Sequence, residues 1–537
     1  MSDMDEATTH PDTIEFSDDS AEPGVWRYAK VERASLIIDA EDYFALMQRA
    51  MLNAKHRIFL VGWDFDTRIH LTLGRRWFQR PFRRQYPRRL GSFPMWLARH
   101  REGLEIRVLK WSLGIFRFLT RGYMLVDILR MASYRAITFK FDTHHPVACS
   151  HHQKIAVLDD KLAVCGGIDM TQERWDTREH REHDRRRMKP GWRRYDPWHD
   201  VTMMFEGEAA ATLAALARAR WVRAGGKPFA PAEIPDESLW PKGLRVQFEN
   251  VEIGIARTRA EYDGLPEVTE IEVLMLSQIA RAERFIYMEN QYLTSRKIAD
   301  ALAARLKEDD PPEIVIVHPE TAEGWLEQQA MDHARNTIAR ALAEVDHANR
   351  FGLFVAYSGE TPIYIHAKLA IFDDMILRVG SANLNNRSMG LDSECDVFID
   401  CTRPGNAHAY DGIAALRYSL LAEHCGMEEG DVRRVLEEED PSMLNLIGSY
   451  GKPNVRQLRR FVPPEGDAVA KTLADSELLD PKGRRRCSSR LPKAAFSARE
   501  VWSNAHWREW KTRGSNRDEQ HCRPRRRRSA GQAARSG

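Results

Sequence analysis

Apolar residues along most of this chain recur at one of two periods. In residues 43–56, Phe44, Met47, Ala50, Met51 and Ala54 repeat at helical spacing, and the run 57–63 that follows reads as a buried strand. Further strands are predicted at 105–109 and 136–142, an Ala/Leu-rich helix at 208–223, and then a Gly/Pro-rich connection at 225–241. The order then recurs, with a helical pattern at 271–283, a strand at 285–293 aligned with the one at Ile58, and strands at 313–317 and 351–357. This alternation predicts, in each half, a mixed sheet covered by helices on both faces.

Two stretches are near copies of each other. Residues 152–167 read H-Q-K-I-A-V-L-D-D-K-L-A-V-C-G-G, and residues 366–381 read H-A-K-L-A-I-F-D-D-M-I-L-R-V-G-S. His152 and His366, Lys154 and Lys368, Asp159 and Asp373, and Gly166 and Gly380 are each 214 residues apart, so the chain carries a gapless internal duplication. After each His-x-Lys the alternation has period two, which predicts a strand with histidine and lysine on one face. Asp159-Asp160-Lys161 or Asp373-Asp374-Met375 then turns the chain into a second strand ending at glycine. One H-x-K-x4-D arises by chance in roughly a few per cent of chains this long, and two copies with the same turn in well below about one per cent. Two ordinary strand histidines are a poor account of such a pair.

Two histidines facing each other across a pseudo-two-fold axis suit in-line displacement at phosphorus. One imidazole attacks while the other protonates the departing alkoxide, giving a phosphohistidine that water or an alcohol resolves. Lys154 and Lys368 supply positive charge where the equatorial oxygens gain negative charge, and Asn383 adds a neutral donor, so no metal or cofactor is expected. Each imidazole needs a partner on its far nitrogen, and the acids that precede later strands, Asp200 and Glu394, are the candidates. Asp159 and Asp373 lie at the far ends of their strands and are expected to hold the turns.

The duplicated signature followed by Gly-Gly or Gly-Ser resembles that of the phospholipase D superfamily. The likeness spans roughly residues 33–480 and includes Gly166-Gly167-Ile168-Asp169, Arg174-Trp175-Asp176-Thr177, Pro197-Trp198-His199-Asp200-Val201, Ile286-Tyr287-Met288-Glu289-Asn290-Gln291-Tyr292 and Gly380-Ser381-Ala382-Asn383-Leu384-Asn385-Asn386-Arg387-Ser388. It implies an α/β fold of two pseudo-two-fold-related domains, each a mixed β-sheet sandwiched between helices. The expected division is an acidic disordered amino terminus (1–32), a first domain (33–224), a linker (225–243), a second domain (244–480) and a basic low-complexity tail (481–537). The resemblance also implies that Asp200 and Glu394 are the orienting carboxylates. It places Asp169 where Asn383 sits in the other half, and Ser381 beside them at the phosphate. By analogy His152 is the nucleophile and His366 the general acid and base.

Charge refines the picture. Net charge is +2, but residues 481–537 hold 17 Lys/Arg against 4 Asp/Glu, which leaves the remainder with an excess of 11 negative charges. That acidic body argues against a general polyanion binder, so no obligatory nucleic acid is expected. The tail reads either as a frameshifted end of the coding sequence or as a basic arm. The loop 73–97 interleaves seven arginines with Trp77, Phe78, Phe82 and Tyr86, which suits anionic headgroups or nucleic acid and equally a solvated loop. Seven cysteines without C-x2-C spacing suggest neither a disulfide framework nor a zinc site. His144, His145, His151, His180, His183 and His199 are numerous enough to raise metal ligation, but their spacings fit no zinc pattern. The amino terminus has no basic region followed by an apolar core, and the most apolar stretch, 111–131, is broken by Arg117, Arg121, Asp127 and Arg130. A cytoplasmic or peripheral membrane protein is expected, with export lacking a signal left open, and a monomer, since both signatures lie in one chain.

The resemblance favours a phospholipase D that hydrolyses glycerophospholipids at a bilayer or micelle surface to phosphatidate and headgroup alcohol, with transphosphatidylation as a side reaction. The alternatives are a cardiolipin synthase-like phosphatidyltransferase, a nucleic-acid phosphodiesterase, and a non-catalytic lipid-binding relic, against which the intact histidines and lysines argue.

Overall fold

Each signature folds as a hairpin whose turn its two aspartates make. Strands Ile155–Leu158 and Leu162–Gly166 pair antiparallel around Asp159 and Asp160, at φ 50° and 49°. Lys368–Phe372 and Ile376–Gly380 do the same around Asp373 and Asp374, at 56° and 59°. Aspartate tolerates this left-handed region better than most residues because its short side chain bonds nearby backbone. The strands begin at Ile155 and Lys368, so His152, Lys154 and His366 lie in the lead-in rather than inside the strand that the alternation predicts.

In the computed structural model, residues 20–72, 86–111, 123–191, 193–322, 325–450 and 455–464 are described, all within one compact unit, Met1–Cys487. The two halves repeat one strand order. In the first, Ile137–Asp142, Glu105–Trp111, Arg57–Gly62, Ile155–Leu158, Leu162–Gly166, Val201–Gly207 and Arg27–Ile38 lie side by side. In the second the order is Phe351–Ser358, Glu313–His318, Phe285–Asn290, Lys368–Phe372, Ile376–Gly380, Glu394–Asp400 and Phe248–Arg259. The first three strands of each series are parallel and the rest antiparallel. Arg27–Ile38 and Phe248–Arg259 pair with each other, Arg27 opposite Ile255, so the hydrogen-bonded ladder runs unbroken from one half into the other. The boundary expected at residue 33 falls inside the first of these two strands.

Period-two burial sorts alternate residues into different cores. Val157, Cys165 and Phe205 share one apolar cluster with Leu369, Val379 and Cys395, joined by helices Glu208–Arg223 and Tyr410–Cys425. Their sequence neighbours point the other way. Ala156, Leu158 and Val164 face a first-half core closed by helix Ala40–Asn53, and Ala370, Phe372 and Ile376 face a second-half core closed by Glu270–Arg281 and Arg296–Leu306. A one-residue slip would exchange the shared face for the private one, so burial fixes the register. Because the halves share a core, the chain ends that lead into the two hairpins meet in one place.

Candidate active site

The backbone crosses between halves at both histidines. His152 donates its amide to Ser393 O (2.9 Å), and Ser393 donates its own to Ser150 O (2.9 Å). In the other arm Trp198–His199 pairs parallel with Tyr364–Ile365, and the His366 amide donates to His199 O (2.8 Å). Each lead-in is thus laid along the residue just ahead of a carboxylate from the opposite half. Those carboxylates are structurally equivalent: Thr202 lies opposite Gly166 and Asp396 opposite Gly380, so Asp200 and Glu394 each stand two residues before the matching position. His366 Nδ1 lies 2.7 Å from Asp200 Oδ2, and His152 Nδ1 lies 3.1 Å from both oxygens of Glu394. The sequence names the two acids; the fold pairs each with the histidine of the other half.

With Nδ1 engaged, each imidazole presents Nε2 to a cleft of about 840 Å³. Burial, with Lys154 and Lys368 close by, holds His152 well below the ordinary imidazole range. Burial and then Lys368 and Arg174 do the same to His366. The carboxyls move the other way, Asp200 to about 7 and Glu394 to about 8, again through burial. Burial lowers Lys368 to about 7. Burial thus drives both histidines, Asp200, Glu394 and Lys368 toward their neutral forms; the neighbouring cations add to that effect on the histidines and oppose it on the two carboxyls.

The lysines enter as the sequence places them. Lys154 Nζ donates to His152 O (2.9 Å) and lies 3.4 Å from Asp169 Oδ2; Lys368 Nζ donates to His366 O (2.5 Å) and Gln291 Oε1 (3.2 Å). Asn383 is buried at the cleft wall with Oδ1 unpartnered. Asp169, expected at the phosphate, lines the cleft, with its Oδ1 accepting the amides of Trp63 (3.2 Å) and Asp64 (3.3 Å). Ser381, also expected there, is fully buried and serves Glu394 and His152. Its hydroxyl donates to Glu394 Oε2 (2.5 Å), and its carbonyl accepts from His152 Nδ1 (3.0 Å). At the matching position Gly167 is required, since a Cβ there would come within 2.1 Å of Asp200 Oδ1. Asp159 accepts the amides of Lys55 (2.7 Å), His56 (2.8 Å) and Arg57 (2.6 Å), and Asp373 those of Glu283 (2.6 Å), Arg284 (2.8 Å) and Phe285 (2.8 Å). Both therefore anchor the start of the neighbouring strand as well as their own turn.

Three contributors carried no role in the sequence. Ser388 donates to Glu394 Oε1 (2.6 Å), Gln291 holds Lys368, and Arg174 lies over the Trp198 ring, 4.1 Å from its centroid. Trp198 in turn stacks on Tyr364 (4.5 Å) and touches His366 (5.2 Å), while Trp63 stands edge-on to His152 (6.3 Å). Ser388, Gln291, Arg174 and Trp198 lie in blocks quoted above; only their roles needed coordinates.

The remaining histidines divide. His183 is exposed, His144 meets Asp263 (3.0 Å), His145 meets Trp111 Nε1 (3.0 Å), and His151 meets Asp142 (3.2 Å). His180 and His199 are buried with Asp39 and Glu423, their ligand-type atoms all within 4.8 Å of one another. This is a donor set that suits zinc, though the same atoms also answer each other as ion pairs. His199 Nε2 lies 2.8 Å from Glu289, and His180 is raised to about 9 by Asp39, Asp176 and Glu423, which together outweigh burial. The group sits directly behind Asp200, whose amide donates to Asp39 Oδ1 (3.2 Å). Among the described residues five cysteines are buried, and none of them forms a disulfide. The arginine-rich part of 73–85, the apolar segment 112–122 and the basic tail lie outside the described residues.

Residues 275–409 match the family model described as "Cardiolipin synthase, PLD-like domain". The chain is 24% identical over 500 residues to phospholipase D alpha 4 of Arabidopsis thaliana, covering 72% of this chain and 64% of that protein. It is 24% identical over 556 residues to phospholipase D1 of Schizosaccharomyces pombe, covering 83% and 39%. It therefore spans less than two thirds of the length of these curated relatives. Among solved structures, the phosphatidylserine synthase of Haemophilus influenzae superposes with a TM-score of 0.49 at 11% identity, over 84% of this chain and 94% of that one. By these comparisons the chain is similar over most of its length to members of the phospholipase D superfamily.

Proposed function

We propose that this protein is a phospholipase D acting on glycerophospholipids at a membrane surface. The observation that carries the reading is the crossed pair, two imidazoles opening on one cleft, each held at Nδ1 by a carboxylate from the other half. His152 Nε2 attacks phosphorus, the headgroup oxygen leaves on the opposite side, and His366 gives it a proton. The products of this step are the free headgroup alcohol and a phosphatidyl group bonded to His152. Water then gives a proton to His366 and its oxygen displaces His152, releasing phosphatidate; an alcohol in place of water gives the transphosphatidylation product. Asp200 and Glu394 fix the Nδ1–H tautomer and favour the cation when the phosphodiester anion arrives. Lys154, Lys368 and Asn383 face the oxygens that gain charge. No step draws on a metal.

Among the described residues no helix is long and apolar enough to cross a membrane, which fits peripheral contact with the lipid surface. Both signatures in one chain fit a monomer. The match of residues 275–409 favours a second reading, a phosphatidyltransferase whose acceptor is a lipid alcohol, by the same chemistry.

The test is product formation from mixed phospholipid vesicles with ethanol and EDTA. Wild type is expected to form phosphatidate and phosphatidylethanol, and His152→Ala and His366→Ala to lose more than about a thousandfold in rate. Wild type that makes neither, but joins two phosphatidylglycerols, would move the assignment to the second reading.

A further inference from the structure

The loop that follows the first hairpin carries an arginine, Arg174, that no carboxylate among the described residues pairs with. Arg174 is 6% exposed and lines the cleft. Its one internal hydrogen bond, from NH1 to Glu173 O, is long at 3.4 Å, and its Nε is buried without a partner. Among the described residues no carboxylate lies within ion-pair distance of it. Three other cations at the cleft are each held by a carboxylate: Arg68 by Asp66 (2.7 Å), Lys189 by Glu173, and Arg387 by Asp392 (2.8 Å).

What holds Arg174 is the face of Trp198, 4.1 Å away, itself stacked on Tyr364 and against His366. An aromatic face orients a guanidinium through its quadrupole and leaves the full positive charge in place, whereas a carboxylate would orient it and cancel the charge. Burying an unpaired guanidinium is costly, and a fold that bears the cost keeps the charge for something that enters. The same platform carries a second unanswered donor, Trp198 Nε1. Arg174 is close enough to act electrostatically on both His366 and Asp200, which places it on the His366 side of the cleft.

We propose that Arg174 is a direct ligand of the reacting phosphodiester, donating its guanidinium to a non-bridging oxygen from the Trp198 side of the cleft. The inference rests on the phosphoryl-transfer reading above and extends it. Lysines supply point charges from the two signature arms, and Arg174 adds a planar fork that fixes the orientation of the phosphoryl oxygens. As the equatorial oxygens gain negative charge on the way to the pentavalent arrangement, its contact strengthens, so it acts on turnover more than on binding of the lipid.

The test compares full-length wild type, Arg174→Gln and Arg174→Lys by calorimetric titration with inorganic phosphate, by thermal melting, and by lipid turnover. Arg174→Gln is expected to weaken phosphate binding about tenfold or more. It should lower kcat about a hundredfold with a smaller change in KM, and melt at or above the wild-type temperature because an unpaired buried charge has gone. Arg174→Lys should recover phosphate affinity in part and turnover less. Unchanged phosphate affinity in Arg174→Gln overturns the inference, as does a wild type that takes no phosphate at millimolar concentration. A melting temperature that falls in Arg174→Gln and recovers in Arg174→Lys together with phosphate affinity assigns the residue a packing role and also overturns it. Phosphate binding that depends on Arg174 in a protein without lipid turnover would leave the inference standing and remove the lipid reading instead.

Discussion

The two halves of the molecule share strand order, hairpin turn and crossed carboxylate, yet they support their histidines differently. His366 has one acceptor at Nδ1, Asp200 at 2.7 Å, and Asp200 rests against a glycine with no side chain to share the load. His152 has two kinds of acceptor, Glu394 and the Ser381 carbonyl, and Glu394 is itself held by the hydroxyls of Ser381 and Ser388. The duplication has therefore conserved the geometry of the chemistry within this chain while dividing rigidity unequally. A buttressed imidazole suits the group that must form a bond to phosphorus. One held by a single strong acceptor suits a group that gives and takes a proton.

The largest test of that contrast is carboxylate removal. Asp200→Asn leaves His366 without an anionic partner and without a fixed tautomer, and is expected to lower kcat by about 10³–10⁴. Glu394→Gln leaves the Ser381 carbonyl to keep the Nδ1–H tautomer of His152, and a loss nearer 10² is expected. Steady-state transphosphatidylation decides it; equal losses would remove the functional meaning of the second acceptor.

A second comparison concerns the anchoring aspartates, where the halves should behave alike. Asp159→Ala and Asp373→Ala each leave three backbone amides without their acceptor, and each is expected to cost about 2–4 kcal/mol in denaturant unfolding. One silent substitution would break the equivalence of the two hairpins.

The smallest effect is in pH. A carboxyl raised by folding contributes stability that is complete below its unfolded value and is lost as pH rises through its folded value. For Glu394 that window runs from 4.5 to about 8, and for Asp200 from 3.8 to about 7. Melting of the unligated protein should therefore fall, relative to Glu394→Gln, by on the order of 5 °C as pH rises across the first window. The difference against Asp200→Asn should level off about one pH unit earlier, near 7. Differences that stay flat across pH would show that both carboxyls ionise normally.

Much of this architecture was legible in the sequence. The 214-residue offset located both hairpins, period-two alternation gave their strands, and the helices at 208–223 and 271–283 fall where their apolar spacing put them, within two residues. These features are short-range: a strand's alternation, a left-handed turn of two aspartates and an amphipathic face are fixed by residues a few positions apart. The acids behind the histidines were also named from sequence, but not their pairing, nor that Asp169 is held at the cleft by backbone amides and Ser381 is turned to Glu394 and His152.

Those outcomes were set by contacts between residues some 160 to 240 positions apart in the chain. The pairing of Arg27–Ile38 with Phe248–Arg259 and the parallel contact of 198–199 with 364–365 bring each lead-in beside the opposite half. No local periodicity encodes which half faces which. An unpaired arginine is still harder to read from sequence, because what marks Arg174 is that no carboxylate among the described residues lies within ion-pair distance of it, and that is a property of three-dimensional surroundings alone. The sequence by itself determined the groups that do the chemistry and the turns that carry them; the tertiary structure decided which acid serves which base and where the unanswered charge lies.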